Sequence, residues 1–198
     1  PVSLWEDYLG GRGIGAKILY DELPPKTDPL SPENMLMFST GPLGGTFAPA
    51  SSRLNVTSKS PETNFYCKTT VGGHFAPELK LAGYDGIVIS GASKKPVYLY
   101  IKNNNVEIRD ASHLWGKDVR ETDNFLKKEL NDDRFSVLSI GPAGENLVRY
   151  SAIMANIYRA AARGGLGSVL GSKKLKAIVV RGTGSVKVAN PKKFGEIA

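Results

Sequence analysis

Residues able to do chemistry concentrate in one stretch of this chain, Arg159 to Ile178, which reads RAAARGGLGSVLGSKKLKAI. Its twenty residues hold four glycines, five cations and no acid. A glycine pair ahead of a helix lets the backbone approach a ligand with no side chain in the way. The unsatisfied N–H groups of a first helical turn, and the helix dipole, then favour an anion. Arg159 and Arg163 stand four apart, and their planar guanidiniums suit a phosphate group. The stretch therefore reads as a phosphate-type cradle. The competing reading is a tight turn that packs a helix on a sheet, with the arginines merely solvated.

Charge favours the cradle by its distribution more than by its total. The net charge of +7 is also what an ordinary solvated surface carries. From Phe135 to Val188, however, the cations are Arg149, Arg159, Arg163, Lys173, Lys174, Lys176, Arg181 and Lys187, against the lone acid Glu145. On this reading Lys173 and Lys174 follow the helix and are expected in solvent.

Several familiar chemistries are absent. No P-loop spacing exists, and Gly164 to Gly167 lacks both the third glycine of a dinucleotide fold and the acid that follows it. Gly11-Arg-Gly-Ile-Gly15 sits in a helical pattern, not after a strand, so a structural use is expected. No GxSxG elbow is present, and Cys67 has no histidine near it in sequence. One cysteine and two distant histidines, His74 and His113, build no metal site alone. No basic sheet interleaved with aromatics, helix-turn-helix or zinc module points to nucleic acid. No apolar run approaches the ~20 residues of a membrane span, so a soluble, cytoplasmic protein is the expectation.

The elements that must position these residues show an internal echo. MLMFSTGPLGG (35–45) and FSVLSIGPAGE (135–145) each read as a strand closed by Gly-Pro. VGGHFAPELKLAGYDGIVISG (71–91) then gives Gly-Gly, a helix and the strand Ile87-Val88-Ile89, and the stretch from Gly164 to Gly182 repeats that plan. Each unit reads strand, Gly-Pro turn, strand, Gly-Gly, helix, strand. A duplication predicts two similar sites facing each other, with Gly72-Gly73 near Gly164-Gly165, and a ligand with two similar halves. Between the units, 97–101 and 106–108 read as strands of a hairpin turning at Asn103 to Asn105, followed by a polar helix over 119–130. Asn190-Pro191 reads as a helix cap with proline at the first position. Residues 1–189 are accordingly expected to form one domain, and 190–198 to begin a helix leading into further domains.

At this point the motifs resemble a known family. GGRGIGAK (10–17), DPLSPEN (28–34), GPLGGTFAPASSR (41–53), KSP (59–61), GGHFAPELKLAGYDGIVISG (72–91), KPVYLYIK (95–102), VEIRDASHLWGK (106–117), SIGPAGENLVRYSAI (139–153) and RAAARGGLGSVLGSKKLKAI (159–178) occur in order over nearly the whole chain. They are similar to the N-terminal, cofactor-binding domain of the tungsten-containing aldehyde:ferredoxin oxidoreductases. The resemblance implies an α+β base of two sheets related by a pseudo-twofold, with flanking helices and a saddle-like face. On that face would sit a tungsten or molybdenum ion held by two pterins, with magnesium linking their phosphates.

The residues it implies in cofactor binding are Arg53, Thr70, Gly72, Gly73, Arg159, Ala160, Ala162, Arg163 and Gly164. Thr70 and Ala160 fall on the magnesium positions, and Arg53 on an arginine between a pterin and the iron–sulfur cluster. Thr70 stands where the family has asparagine, a longer arm. Ala162 stands where it has glycine, and would be strained if that position required positive φ. The 4Fe-4S cluster and the catalytic acid and base belong to later domains of the family, so no catalytic residue is expected here. The isolated chain is expected to be inactive. The whole enzyme would oxidise aldehydes to acids with ferredoxin as acceptor, its oligomeric state left open. The alternative is a non-catalytic carrier of a polyanion or cofactor that reuses the fold.

Overall fold

A computed structural model describes residues 2–198. The chain opens with two helices, α1 (Val2–Tyr8) and α2 (Gly11–Glu22). A first unit follows: β1 (Leu36–Ser39), β2 (Leu54–Lys59), β3 (Tyr66–Val71), α3 (Phe75–Leu81) and β4 (Gly86–Ile89). The hairpin β5 (Val97–Lys102) and β6 (Asn105–Asp110) and the helix α4 (Val119–Leu130) separate it from a second unit. That unit comprises β7 (Ser136–Ser139), the single turn α5 (Pro142–Glu145), β8 (Ile153–Ala155), β9 (Arg159–Ala161), α6 (Leu166–Ser172) and β10 (Leu175–Arg181). A last helix, α7 (Pro191–Ile197), is capped by Asn190, whose side chain accepts from the Lys193 N–H.

Two sheets make an α+β fold. One runs β3-β2-β1-β4 and the other β6-β5-β10-β7-β8-β9. All pairs are antiparallel except β5 with β10. The second sheet contains the order β9-β8-β7-β10, which is the order of the first sheet with six added to each number. The echo in the sequence is thus a repeat of topology. Each unit holds one strand more than the sequence pattern suggests, β3 in the first and β9 in the second.

The core sits between the sheets. Leu36, Phe38, Leu54 and Val56 from one meet Leu138, Ile153, Ile178 and Val180 from the other, with Phe75 and Leu79 of α3 and Val169 and Leu170 of α6 filling the ends. The period-2 alternation of β10 sends Ala177 and Val179 to the opposite face. There they pack with Tyr98, Tyr100 and Val137 under Leu126 of α4. Because β10 is buried on both faces, its residues 177–180 read as an unbroken apolar run. Helix α2 covers the first sheet, and Gly15 permits the contact, since a Cβ there would stand 2.5 Å from the Thr57 hydroxyl. α4 begins in a capping box between Asp118 and Glu121, which explains why its start is legible in sequence.

Candidate functional site

The two sheets meet edge to edge where β3 packs against β9. At one end of this seam the Arg159 side chain lies over Gly72 and Gly73, and at the other the Arg163 N–H donates to Thr69 Oγ1 at 3.5 Å. β9 therefore runs alongside β3 in the opposite direction, bringing Ala160 and Thr70 onto facing edges. Arg53 precedes Leu54, which pairs with Val71, so it stands beside Gly72. Thr69 and Val71 are the buried positions of β3, which leaves Lys68 and Thr70 on the more open face. Eight of the nine candidate residues thus line a common surface: Arg53, Arg159, Ala160, Ala162 and Arg163 are exposed, and Thr70, Gly72 and Gly73 half-buried.

Gly164 differs, being buried. Its carbonyl accepts from Ser60 Oγ at 2.8 Å, and a Cβ on it would overlap the Cys67 sulfur. Cys67 also reaches toward the Arg163 carbonyl, at 3.7 Å. Burial pushes its thiol pKa up, which disfavours the thiolate, and the sulfur packs as a snug support against Gly164. Gly165 sits under the Arg149 carbonyl, and the Gly167 N–H is taken by Ser151 O at 3.0 Å. The first turn of α6 is therefore closed by the chain's own groups. At Gly164-Gly165 the glycines serve close packing, and the expectation of free helix N–H groups aimed at an anion does not hold there. Gly72-Gly73 is different: side chains alone cover it, Arg159 over both glycines and Asn156 beside Gly73.

The two glycine pairs lie at opposite ends of one seam, separated by about five residues of β3, or roughly 15 Å. Each pair touches the other unit, Gly72 and Gly73 through Arg159, and Gly164 through Cys67. Ala162 is absent from the residues with positive φ, so alanine there carries no strain.

The cations divide sharply. Among the described residues no ion pair engages Arg53, Arg159 or Arg163. The expectation that Lys173 is solvated is overturned: it is 2 % exposed, and its Nζ donates to three main-chain carbonyls. Lys176 is fully buried, bonded to Glu145 and to Lys117 O at 2.7 Å. Arg181 pairs with Glu78 at 2.8 Å. The positive field of this segment therefore rests on Arg149, Arg159, Arg163, Lys174 and Lys187; Lys173, just past α6, and Lys176, within β10, turn inward and find acceptors there.

One feature of the site lacked a strong sequence signal. The β8–β9 turn holds Asn156 at φ 47° and Ile157 at φ 66°, and Asn156 Oδ1 faces both Ser136 Oγ and Gly73. A β-branched residue in that region is strained, which marks the turn that delivers Tyr158 and Arg159. The Arg159 guanidinium carbon lies 5.7 Å from the Tyr158 ring centre.

Fold and site together define a two-sheet α+β base with unpaired arginines along its central seam. Residues 1–182 match the model of the aldehyde ferredoxin oxidoreductase N-terminal domain. The chain belongs to that family. It is 54% identical over 192 residues to a tungsten-containing aldehyde ferredoxin oxidoreductase of Thermococcus kodakarensis, covering 97% of this chain and 32% of the relative. It is 43% identical over 202 residues to the WOR-like subunit of an aliphatic sulfonate oxidoreductase of Pyrococcus furiosus, covering 92% and 32%. Among solved structures, the active-site complex BamBC of benzoyl coenzyme A reductase with 1,5-dienoyl-CoA matches at TM-score 0.97 and 50% identity, over 100% of this chain and 30% of that one. The chain spans about a third of the length of the curated relatives it matches. Among the described residues no helix is long and apolar enough to cross a membrane.

Proposed function

We propose that this chain is the base that holds a tungsten or molybdenum bis-pterin cofactor in an oxidoreductase taking aldehydes to carboxylic acids. The observation that carries the reading is the seam, where Arg159 stands unpaired over Gly72 and Gly73 at one end and Arg163 stands unpaired toward the other. These residues suit the group. A cofactor with two phosphates needs guanidiniums with no competing carboxylate, and an open backbone against which a flat ring system can lie. Among the described residues no cluster of three or more His, Cys, Asp or Glu side chains could hold a metal. A metal here would rest on main-chain oxygens and on donors of the cofactor itself.

In this reading Arg159 and Arg163 neutralise phosphate, and the Gly72 backbone contacts a pterin. Thr70 and Ala160, on the facing edges of β3 and β9, supply oxygens for magnesium. Arg53, beside Gly72, would be the arginine between a pterin and the iron–sulfur cluster. When bound, the pterin-held metal would accept the two electrons released by the aldehyde. The repeated topology and the reciprocal contacts of the glycine pairs support a pseudo-twofold, with one pterin per unit on a saddle-like face. One cysteine cannot ligate a 4Fe-4S cluster, so the cluster, the catalytic groups and the ferredoxin contact would come from other parts of the whole enzyme, beyond the 1–189 domain and the α7 helix that follows it. Expressed as the whole enzyme, Arg159→Ala should lose pterin and metal, whereas Lys174→Ala, an exposed lysine away from the seam, should retain both. Equal loss from the two would overturn the assignment.

A second reading is favoured by the solved relative, the active-site complex of a benzoyl coenzyme A reductase. In that reading the same base serves a whole enzyme that reduces an aromatic thioester. Aldehyde-dependent dye reduction and reduced-dye-dependent turnover of benzoyl coenzyme A, assayed on the same preparation, separate the two.

A further inference from the structure

Lys173 follows the last residue of α6, the helix that Arg163 precedes by three residues. Its Nζ donates to the carbonyls of Pro32 at 3.1 Å, Asn34 at 2.6 Å and Gly91 at 3.0 Å. Three ammonium N–H groups meet three acceptors, and none is spare. Among the described residues no ion pair engages Lys173. The charged side chain that acts on it is Glu33, itself exposed.

The three oxygens all belong to the first unit's side of the molecule: two from the loop before β1, one from just past β4. That loop already commits its donors. Asn34 Nδ2 is shared among Pro29 O, Ser58 Oγ and Lys59 O at 2.6, 3.1 and 3.2 Å, and Asn34 Oδ1 is buried with no partner. Acceptors outnumber donors in this corner, which is the environment that holds a cation, as rings of main-chain carbonyls do elsewhere. A cleft of about 380 Å³ bordered by Gly91, Ala92, Ile108 and Lys173 lies alongside, and the exposed Ala92 and Ile108 mark its mouth.

We propose that the carbonyls of Pro32, Asn34 and Gly91 form a cation seat that the chain fills with its own Lys173 ammonium. Locking that seat fixes α6, and with it Arg163, against the first unit. Lys173 is thus a positioning residue: Arg159 joins the two units at the cofactor face, and Lys173 joins them at the far end of α6. The geometry stands without the proposed function; the consequence for anion binding rests on it.

A seat of this kind accepts a free cation in place of the tethered one. The test uses the 198-residue chain with Lys173→Ala and Lys173→Met at pH 7, following the thermal midpoint and the affinity for inorganic pyrophosphate. Each variant should lower the midpoint by roughly 5–15 °C, since the buried Asn34 carbonyl and the part-buried Gly91 carbonyl lose their donor, while Pro32 O keeps only the Gly91 N–H. Ammonium or methylammonium should restore at least half of that loss in Lys173→Ala, through the cleft. It should not do so in Lys173→Met, whose side chain fills the space. Tetramethylammonium, which has no N–H, should do nothing. The pyrophosphate dissociation constant should rise about tenfold in Lys173→Ala and recover with ammonium.

Wild-type midpoints in both variants, or rescue by tetramethylammonium equal to that by ammonium, would overturn the seat. So would a lowered Lys173→Ala midpoint that ammonium leaves unchanged. If Lys173→Ala is recovered only unfolded, the Met variant decides: a lowered midpoint supports the seat and an unchanged one sinks it. If wild type itself fails to bind pyrophosphate, the anion face of the proposed function falls, and the midpoints still read the seat.

Discussion

Arg159 lies across Gly73, its Cδ 3.1 Å from the point where a Cβ on that glycine would stand. The two residues are 86 positions apart and belong to different units of the repeat. Gly73 adopts φ +107°, a conformation that side chains disfavour, so the open turn and the arginine upon it are fitted to each other.

Gly73→Ala should therefore lower stability by about 1–3 kcal/mol through backbone strain. It should also displace Arg159. Denaturant unfolding measures the first effect, and the pterin content of the whole enzyme the second. An alanine variant with unchanged stability would show that the turn relaxes.

Arg159→Ala should separate binding from folding. The side chain is exposed and has no acid partner, so its removal should change stability by less than about 0.5 kcal/mol, while cofactor retention falls. A large loss of stability without loss of cofactor would make the residue structural.

Gly167→Ala tests the closed first turn of α6. A Cβ there would come 2.6 Å from the Ala152 carbonyl, and both groups are backbone, so relief requires moving the helix. A loss of about 2–3 kcal/mol is expected. Gly195→Ala in α7, where a Cβ meets nothing within 4 Å, should instead slow local amide exchange, by up to about 1 kcal/mol of helix stabilisation.

Burial pushes the Lys173 pKa down to about 8 from 10.5, with Glu33 opposing. Between those values the unfolded chain holds a proton that the folded chain has released, so this group's contribution to stability rises with pH across the window and is lost as pH falls through about 8. The full span is on the order of 3 kcal/mol. The difference in unfolding free energy between wild type and Lys173→Met, followed from pH 7 to 10.5, should grow in favour of wild type. A flat difference would mean the folded pKa is near its ordinary value.

The sequence alone determined whatever rests on neighbours within a few residues. Asp118 and Glu121 mark the start of α4 because a capping box is local. Asn190-Pro191 marks α7, and the Gly-Pro and Gly-Gly punctuation of the two units marks the repeat. Apolar runs such as Ala177 to Val180 announce a strand buried on both faces. The family motifs were legible for the same reason, being contiguous.

Tertiary structure decided the rest. β9 is Arg-Ala-Ala, residues with helical preference, and becomes a strand only because β8 and β3 flank it; β3, polar along one face, had too weak an alternation to be read. Lys173 resembles any lysine after a helix until Pro32, Asn34 and Gly91, 82 to 141 residues away, bring carbonyls to it. Gly164 and Gly165 look as open as Gly72 and Gly73 until Cys67 and Arg149 close over them. Whether a cation is buried or free, and whether a glycine admits a ligand or a neighbouring strand, depends on acceptors and surfaces that only long-range packing supplies.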